Sequence, residues 1–148
     1  MPNSIKFAIE SPLMKSIQRA NTWVYRWSGG KLWNQMNGAP LLLLTTRGRK
    51  TGKPRTLPLI FTADGQDLVV VASKGGWTED PLWYRNLKAD PNVEVQLGAR
   101  KRSMLAATAD AAERARLWPR VVAVYQPYAD YQSWTDREIP LVILRDKN

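Results

Sequence analysis

Residues 41–73 read LLLLTTRGRKTGKPRTLPLIFTADGQDLVVVAS, and the fold turns on this stretch. It holds three short runs of apolar and β-branched residues, Leu41 to Thr46, Thr56 to Thr62 and Asp67 to Ser73, each of strand length. The last two flank Ala63-Asp64-Gly65-Gln66, whose Asp-Gly pair suits a hairpin turn. Short strands following one another with only turns between them spell a β-meander.

Downstream, Asp80-Pro81 opens a short helix over PLWYRNLKAD, with Asp80 as its cap and Pro81 in the first helical position, and Pro91 closes it. Val93 to Leu97 and Arg102 to Ala107, joined by Gly98-Ala99-Arg100-Lys101, make a second hairpin. Asp110 caps a helix through AAERARLWPRVVAVY, with Pro119 inside or ending it, and Ile139 to Leu144 supplies the last strand. Upstream, residues 10–27 place Leu13, Met14, Ile17, Trp23, Val24 and Trp27 at roughly helical spacing, with Lys15, Gln18 and Arg19 elsewhere, until Ser28-Gly29-Gly30 stops the helix. Six strands interrupted by three or four helices, without βαβ alternation, predict an α+β fold built on a mainly antiparallel barrel. The 148 residues are expected to form one domain, with residues 1–38 an N-terminal amphipathic helical segment and residues 39–148 the barrel.

The chain has no cysteine and no histidine. Thiolate nucleophiles, Cys/His zinc sites, haem ligation by His and an imidazole base are therefore excluded, and no metal site is expected. Hard chemistry would belong to a bound organic cofactor. The net charge of +9 favours an anionic partner. The opening MPNSIKFAIE lacks the apolar stretch of a secretory signal, and no window approaches 18 apolar residues, so a cytoplasmic, non-spanning protein is expected.

Three places can carry chemistry. The segment from Thr45 to Arg55 holds five cations and no acid within nine residues, and its glycines let backbone amides and Arg/Lys side chains grip phosphate or carboxylate oxygens. It is not an NTPase loop, since three residues separate Gly48 from Gly52 and Pro54 follows Lys53, and it lacks the dinucleotide pattern GxGxxG. A solvated basic hairpin is the plain alternative. Ser73-Lys74-Gly75-Gly76 has the same chemistry at the end of a strand, or is simply a Gly-Gly turn. Tyr125, Tyr128 and Tyr131, followed by Trp134, would share one face of a helix, where a phenol can deliver a proton in place of His, or where an aromatic stripe packs a core. A nucleic-acid binder is the rival from another class, with its Trp and Tyr stacking on bases, but the cations cluster in one short turn.

Taken together, LLLLTTRGRKTGKPRTLPL, VVVASKGGWTEDPLWYRNLKADPNVEVQLG and WPRVVAVYQPYADYQSWTDREIPLVIL resemble the deazaflavin-dependent nitroreductases, also called F420H2-dependent quinone reductases, over roughly residues 39–145. The resemblance implies a split β-barrel of the FMN-binding type and an oxidoreductase that passes a hydride from reduced coenzyme F420, ahead of FMN, to a quinone, nitro compound or enone. It implies that Arg49, Lys50 and Arg55 hold the cofactor's phosphate and glutamyl tail, with Thr51, Pro58, Ser73, Lys74, Gly75 and Gly76 near the cofactor and Trp83 and Asn86 completing its wall. Tyr128 would donate a proton or orient the acceptor, with Tyr125, Tyr131 and Ser73 lining the acceptor pocket. Ile60 stands where some relatives carry an aromatic residue. The N-terminal segment could be a packing helix, a lid or a contact with the inner face of the membrane serving a lipid quinone, and the chain a monomer or a homodimer. A barrel that binds deazaflavin or lipid without turnover is the remaining alternative.

Overall fold

The computed structural model describes residues 12–147. After α1 (Pro12–Ser28) and the two-residue β1 (Gln35–Met36) come β2 (Ala39–Arg47), β3 (Pro54–Asp64), β4 (Asp67–Val71), α2 (Leu82–Ala89), β5 (Asn92–Leu97) and β6 (Arg100–Thr108). Then follow α3 (Ala111–Val124), α4 (Pro127–Ser133) and β7 (Leu141–Asp146). All the strand pairs are antiparallel, in the order β1-β2-β3-β4-β7-β6-β5. A pairing of β2 with β5, in which Leu44 faces Val95, closes six of these strands into a barrel. The expected α+β antiparallel barrel is the fold found.

The continuous Leu and Val runs follow from burial on both faces. Alternate residues of a strand point to opposite sides. Leu42, Leu44, Leu68, Val70, Val93, Val95, Met104, Ala106, Val142 and Leu144 therefore fill the barrel. Their neighbours Leu41, Leu43 and Ile60 lie outside, under α1. Val69, Val71, Leu141 and Ile143 lie under α3 and α4, against Leu117, Val121 and Tyr128. Each Leu, Ile, Val or Met among them contributes roughly 1.5–3 kcal/mol when it leaves water. Trp83, Tyr84 and Leu87 of α2 join the barrel interior, while Asn86 beside them bonds Thr46 of β2.

Tight turns set the register. Gly65 (φ +61°) and Gly98 (φ +64°) open two-residue loops, because Asp64 still pairs with Asp67 and Leu97 with Arg100. The expected cap Asp110 accepts the Glu113 amide at 2.8 Å, and Glu113 accepts the Asp110 amide at 3.1 Å, a reciprocal pair of bonds at the start of α3. Pro119 sits inside that helix. Asp80, by contrast, does not cap α2: Pro81 occupies the cap position, and the carboxylate of Asp80 faces Arg137 at 3.0 Å.

The expected helix start at Glu10 lies outside the described residues. In α1 most of the apolar stripe faces outward: Leu13, Ile17, Trp23 and Trp27 are 50–71% exposed, the two indoles stack at 5.9 Å, and Met14 and Val24 are half-buried. Only Tyr25 of α1 is buried, its hydroxyl accepting the Gly98 amide at 2.8 Å. Burial raises the Tyr25 pKa, opposed by this bond.

The β3–β4 hairpin is tied to α3 by charge. The Asp64 carboxylate receives Arg116 (2.9 and 3.1 Å) and Arg120 (2.7 Å). These bonds hold its pKa near 2, below the ordinary value. Because the folded value is the lower one, this stabilisation is complete above the unfolded value of about 4 and is lost as pH falls through about 2. Asp64→Asn should therefore lower the urea midpoint at pH 7 and match the parent protein near pH 2. Parallel curves at both pH values would remove this role.

Candidate active site

Between β2 and β3 the chain makes a turn whose shape comes from its own backbone. The Gly48 amide donates to the Lys53 carbonyl at 2.8 Å and the Gly52 amide to the Gly48 carbonyl at 2.7 Å, while Gly52 takes φ +71°. Thr51 Oγ1 accepts the Lys53 amide at 3.2 Å. The buried Asn86 side chain brackets the turn from α2, accepting the Arg49 amide and donating to Thr46 Oγ1, both at 3.2 Å. Its amide group is thus spent on holding the loop. Trp83, also buried, packs edge-on to Tyr84 within the barrel core.

Charge is distributed unevenly. Arg102, Arg114, Arg116, Arg120, Arg137 and Arg145 each face a carboxylate within 3.5 Å. Arg49, Lys50, Lys53 and Arg55 are exposed and form no ion pair among the described residues, and Arg47 has only a 4.0 Å approach to Asp90. Four cations held near one another without counter-charge repel, so the arrangement favours an anion from outside.

The second turn follows β4. Ser73 is right-handed, whereas Lys74 (φ +45°), Gly75 (φ +61°) and Gly76 (φ +77°) are all left-handed. A right-handed residue followed by a left-handed one is the backbone form that gathers amides around anions. The Gly76 amide donates to the Ser73 carbonyl, but the amides of Lys74 and Gly75 have no acceptor among the described residues. Lys74 Nζ lies 4.6 Å from the Trp77 ring centroid and 3.9 Å from the Glu79 carboxylate. Gly76 is pressed against α4, where a Cβ would stand 2.5 Å from the Tyr131 carbonyl oxygen.

Sequence reasoning missed Arg137. Its guanidinium donates to the carbonyls of Ala72 (3.1 Å), Ser73 (2.9 Å) and Trp77 (3.1 Å) and to Asp80 (3.0 Å), so it grips the second turn from behind. Burial pulls its pKa down, and Asp80 opposes the shift. No local pattern announces such a residue, because its partners lie 57–65 positions away.

The three tyrosines do not share one helix. Tyr125 ends α3, and Pro127 begins α4. They meet nonetheless: the Tyr125 and Tyr128 rings lie 4.9 Å apart, and the Tyr125 and Tyr131 hydroxyls 3.4 Å apart. Tyr128 is buried among Val69, Val71, Leu117 and Val121, and its hydroxyl has no hydrogen-bond partner among the described residues. Burial is the main cause raising the pKa of both Tyr128 and Tyr131 above the ordinary tyrosine value, so both phenols stay protonated at neutral pH.

The sequence profile of the F420H(2)-dependent quinone reductase family matches residues 17–146. The chain belongs to that family. An F420H(2)-dependent quinone reductase of Mycobacterium tuberculosis is 41% identical over 130 residues, covering 85% of this chain and 87% of that protein. Among solved structures, the F420-H2 dependent reductase FDR-A is 42% identical, with a TM-score of 0.67, over 72% of this chain and 94% of that one. A chain solved as a domain-swapped dimer is 34% identical, with a TM-score of 0.70, over 90% and 99%. The protein is thus an oxidoreductase whose cofactor is coenzyme F420 and whose hydride goes to a quinone-type acceptor.

For an F420H2-dependent quinone reductase the donor set fits. An unneutralised cationic turn and a left-handed turn suit a cofactor that carries phosphate and carboxylates. Between them runs the outer face of β3: Leu57, Leu59 and Phe61 point into the barrel, so Thr56 and Pro58 point out, half-buried. Tyr125 packs against both the cluster under α1 and the cluster under α3 and α4, which places it at this face. Ile60, on the same face, is buried beneath α1. A cavity of about 310 Å³ opens on the other side of the cationic turn, lined by Thr45, Arg47, Asn92 and Glu94 among others. It contains a carboxylate and none of the expected catalytic residues, which suits an anionic cofactor less well than the β3 face.

Proposed function

We propose that this quinone reductase binds F420H2 along the outer face of β3 and reduces its acceptor beside the tyrosine cluster. Arg49, Lys50 and Arg55 hold the phosphate and glutamyl tail, and Thr51 keeps the turn in shape. Pro58, Ser73, Lys74, Gly75 and Gly76 flank the ring system, with Trp83 and Asn86 supporting the wall from α2. When bound, reduced F420 supplies a hydride, two electrons at once. Tyr128 gives a proton to the acceptor oxygen that gains negative charge, and Tyr125, Tyr131 and the Ser73 hydroxyl orient that acceptor in a site from which the barrel and α4 exclude water. The observation that supports this reading most is the quartet of cations left without counter-charge.

The reading is tested by following F420 fluorescence on titration, then adding menadione to the reduced complex. Protein-dependent reoxidation is expected. Binding of FMN or single-stranded DNA in place of F420 would overturn it. Replacing Lys50 and Arg55 together by Ala should weaken F420 binding by about tenfold or more at low salt, and the deficit should shrink as salt screens the parent protein's attraction. Equal affinity of the two proteins at low salt would remove these residues from the site.

Residues 39–147 act as the cofactor-binding barrel, with α1 and the stretch after it to Gly38 appended to the same domain, while residues 1–11 and 148 of the two expected segments lie outside the described residues. No described helix is long and apolar enough to cross a membrane. The outward Leu13, Ile17, Trp23 and Trp27 lie in a span, Ser11 to Ala63, without one acidic residue, which suits contact with an anionic inner membrane face, where a lipid quinone is met. Cosedimentation with anionic but not neutral vesicles is expected; failure with both sinks this part. A homodimer is favoured by the neighbour solved as a domain-swapped dimer, and a monomeric mass in solution would overturn it.

A further inference from the structure

We infer that Arg137 is a positioning residue for cofactor binding: it fixes the turn from Ser73 to Gly76 by occupying that turn's carbonyls from behind. The inference deepens the proposed use of this turn as part of the F420 site and rests on it. One guanidinium carries five N–H donors in a rigid plane, a shape that spans several acceptors at once. Here it reaches the carbonyls of Ala72, Ser73 and Trp77 and the Asp80 carboxylate, all within 2.9–3.1 Å, with its side chain only 14% exposed. These acceptors bracket the three left-handed residues Lys74, Gly75 and Gly76 on both sides.

Left-handed backbone at a lysine is unfavourable by itself and persists only where its surroundings over-determine it. Arg137 supplies that constraint, and with it the turn keeps the Lys74 and Gly75 amides unspent. The main chain of Arg137 is fastened in turn to α4, which bears Tyr128 and Tyr131, and to the residues just after it: Gln132 Nε2 of α4 donates to its carbonyl at 2.7 Å, and its amide donates to Thr135 Oγ1 at 3.2 Å. Arg137 therefore ties the cofactor turn and the acceptor-side tyrosines into one body.

The test compares Arg137→Met, Arg137→Lys and Asp80→Asn with the parent protein in three measurements: F420 titration, the menadione KM at saturating F420H2, and amide hydrogen exchange at residues 74–77 without ligand. Arg137→Met should weaken F420 binding at least about tenfold and speed exchange at these amides, while the menadione KM moves less than about twofold. Arg137→Lys keeps the charge without the fork and should recover only part of the affinity. Asp80→Asn keeps the three carbonyl bonds and should sit close to the parent, so it also reports on a protein whose fold is intact if Arg137→Met does not fold. In that case Arg137→Lys carries the decision: parental F420 affinity together with parental exchange at residues 74–77 overturns the inference. If the parent protein itself fails to bind F420, the proposed function falls, and exchange in the two Arg137 variants still decides whether this side chain holds the turn. A KM rise for menadione equal to the loss in F420 affinity would show a general structural defect and overturn the positioning role.

Discussion

Gly76→Ala is expected to destabilise the protein by about 3 kcal/mol and to abolish measurable F420 binding. Two effects add. A residue with a Cβ at φ +77° is strained wherever it stands. The added Cβ also meets the Tyr131 backbone, at 2.5 Å from its carbonyl oxygen and 2.8 Å from its Cα, and backbone atoms of a helix cannot swing aside as a side chain tip can. The turn after β4 and the helix that carries Tyr128 and Tyr131 must then separate, which disturbs both halves of the site. Gly52→Ala is the control: its φ is +71°, but nothing lies within 4 Å of the added Cβ, so only strain remains, about 1 kcal/mol. Thermal or urea unfolding of the two variants measures the difference. Equal losses would mean that α4 gives way at little cost.

Tyr128→Phe should lower turnover about a hundredfold while leaving F420 affinity and unfolding midpoint near those of the parent. The contrast arises because the Tyr128 ring packs among Val69, Val71, Leu117 and Val121, which phenylalanine retains, whereas the hydroxyl bonds to nothing among the described residues. Deleting that oxygen removes a proton donor without breaking a structural bond. Burial raises the phenol's pKa, so the folded state holds its proton more firmly than the unfolded chain. Its stabilising effect is present below the ordinary tyrosine value of about 10 and is lost only as pH rises beyond it. Activity should therefore show no alkaline fall from this group below about pH 10. Steady-state rates with F420H2 and menadione across pH check both points, and an unchanged rate in the variant would remove Tyr128 from proton delivery.

Much of the barrel was legible because its signals are local. The Leu41–Leu44, Leu68–Val71 and Leu141–Leu144 runs are continuous because barrel and helices cover both faces, and Gly65 and Gly98 mark hairpins by the φ they adopt. Asp110 and Glu113 cap α3 across three residues. Lys50 and Arg55 declared themselves by density of charge, and the motifs that resemble the family identified its cofactor.

The amino-acid sequence by itself determined the six barrel strands, the hairpins, the family and the cationic turn, since these are carried by short motifs, whereas the two-residue β1 carried no such signal. Tertiary structure alone decided the rest. It closed β2 onto β5, turned most of the apolar stripe of α1 outward while burying Tyr25, and gave Asp80 to Arg137 instead of to the helix it precedes. It also broke the tyrosine helix at Pro127 yet gathered the three rings, and pressed Gly76 against Tyr131. The contacts of Gly76 with Tyr131, Asp80 with Arg137 and Tyr25 with Gly98 join positions 55 to 73 residues apart through packing and desolvation. Local propensity reads only along the chain and carries no record of what will lie across the fold.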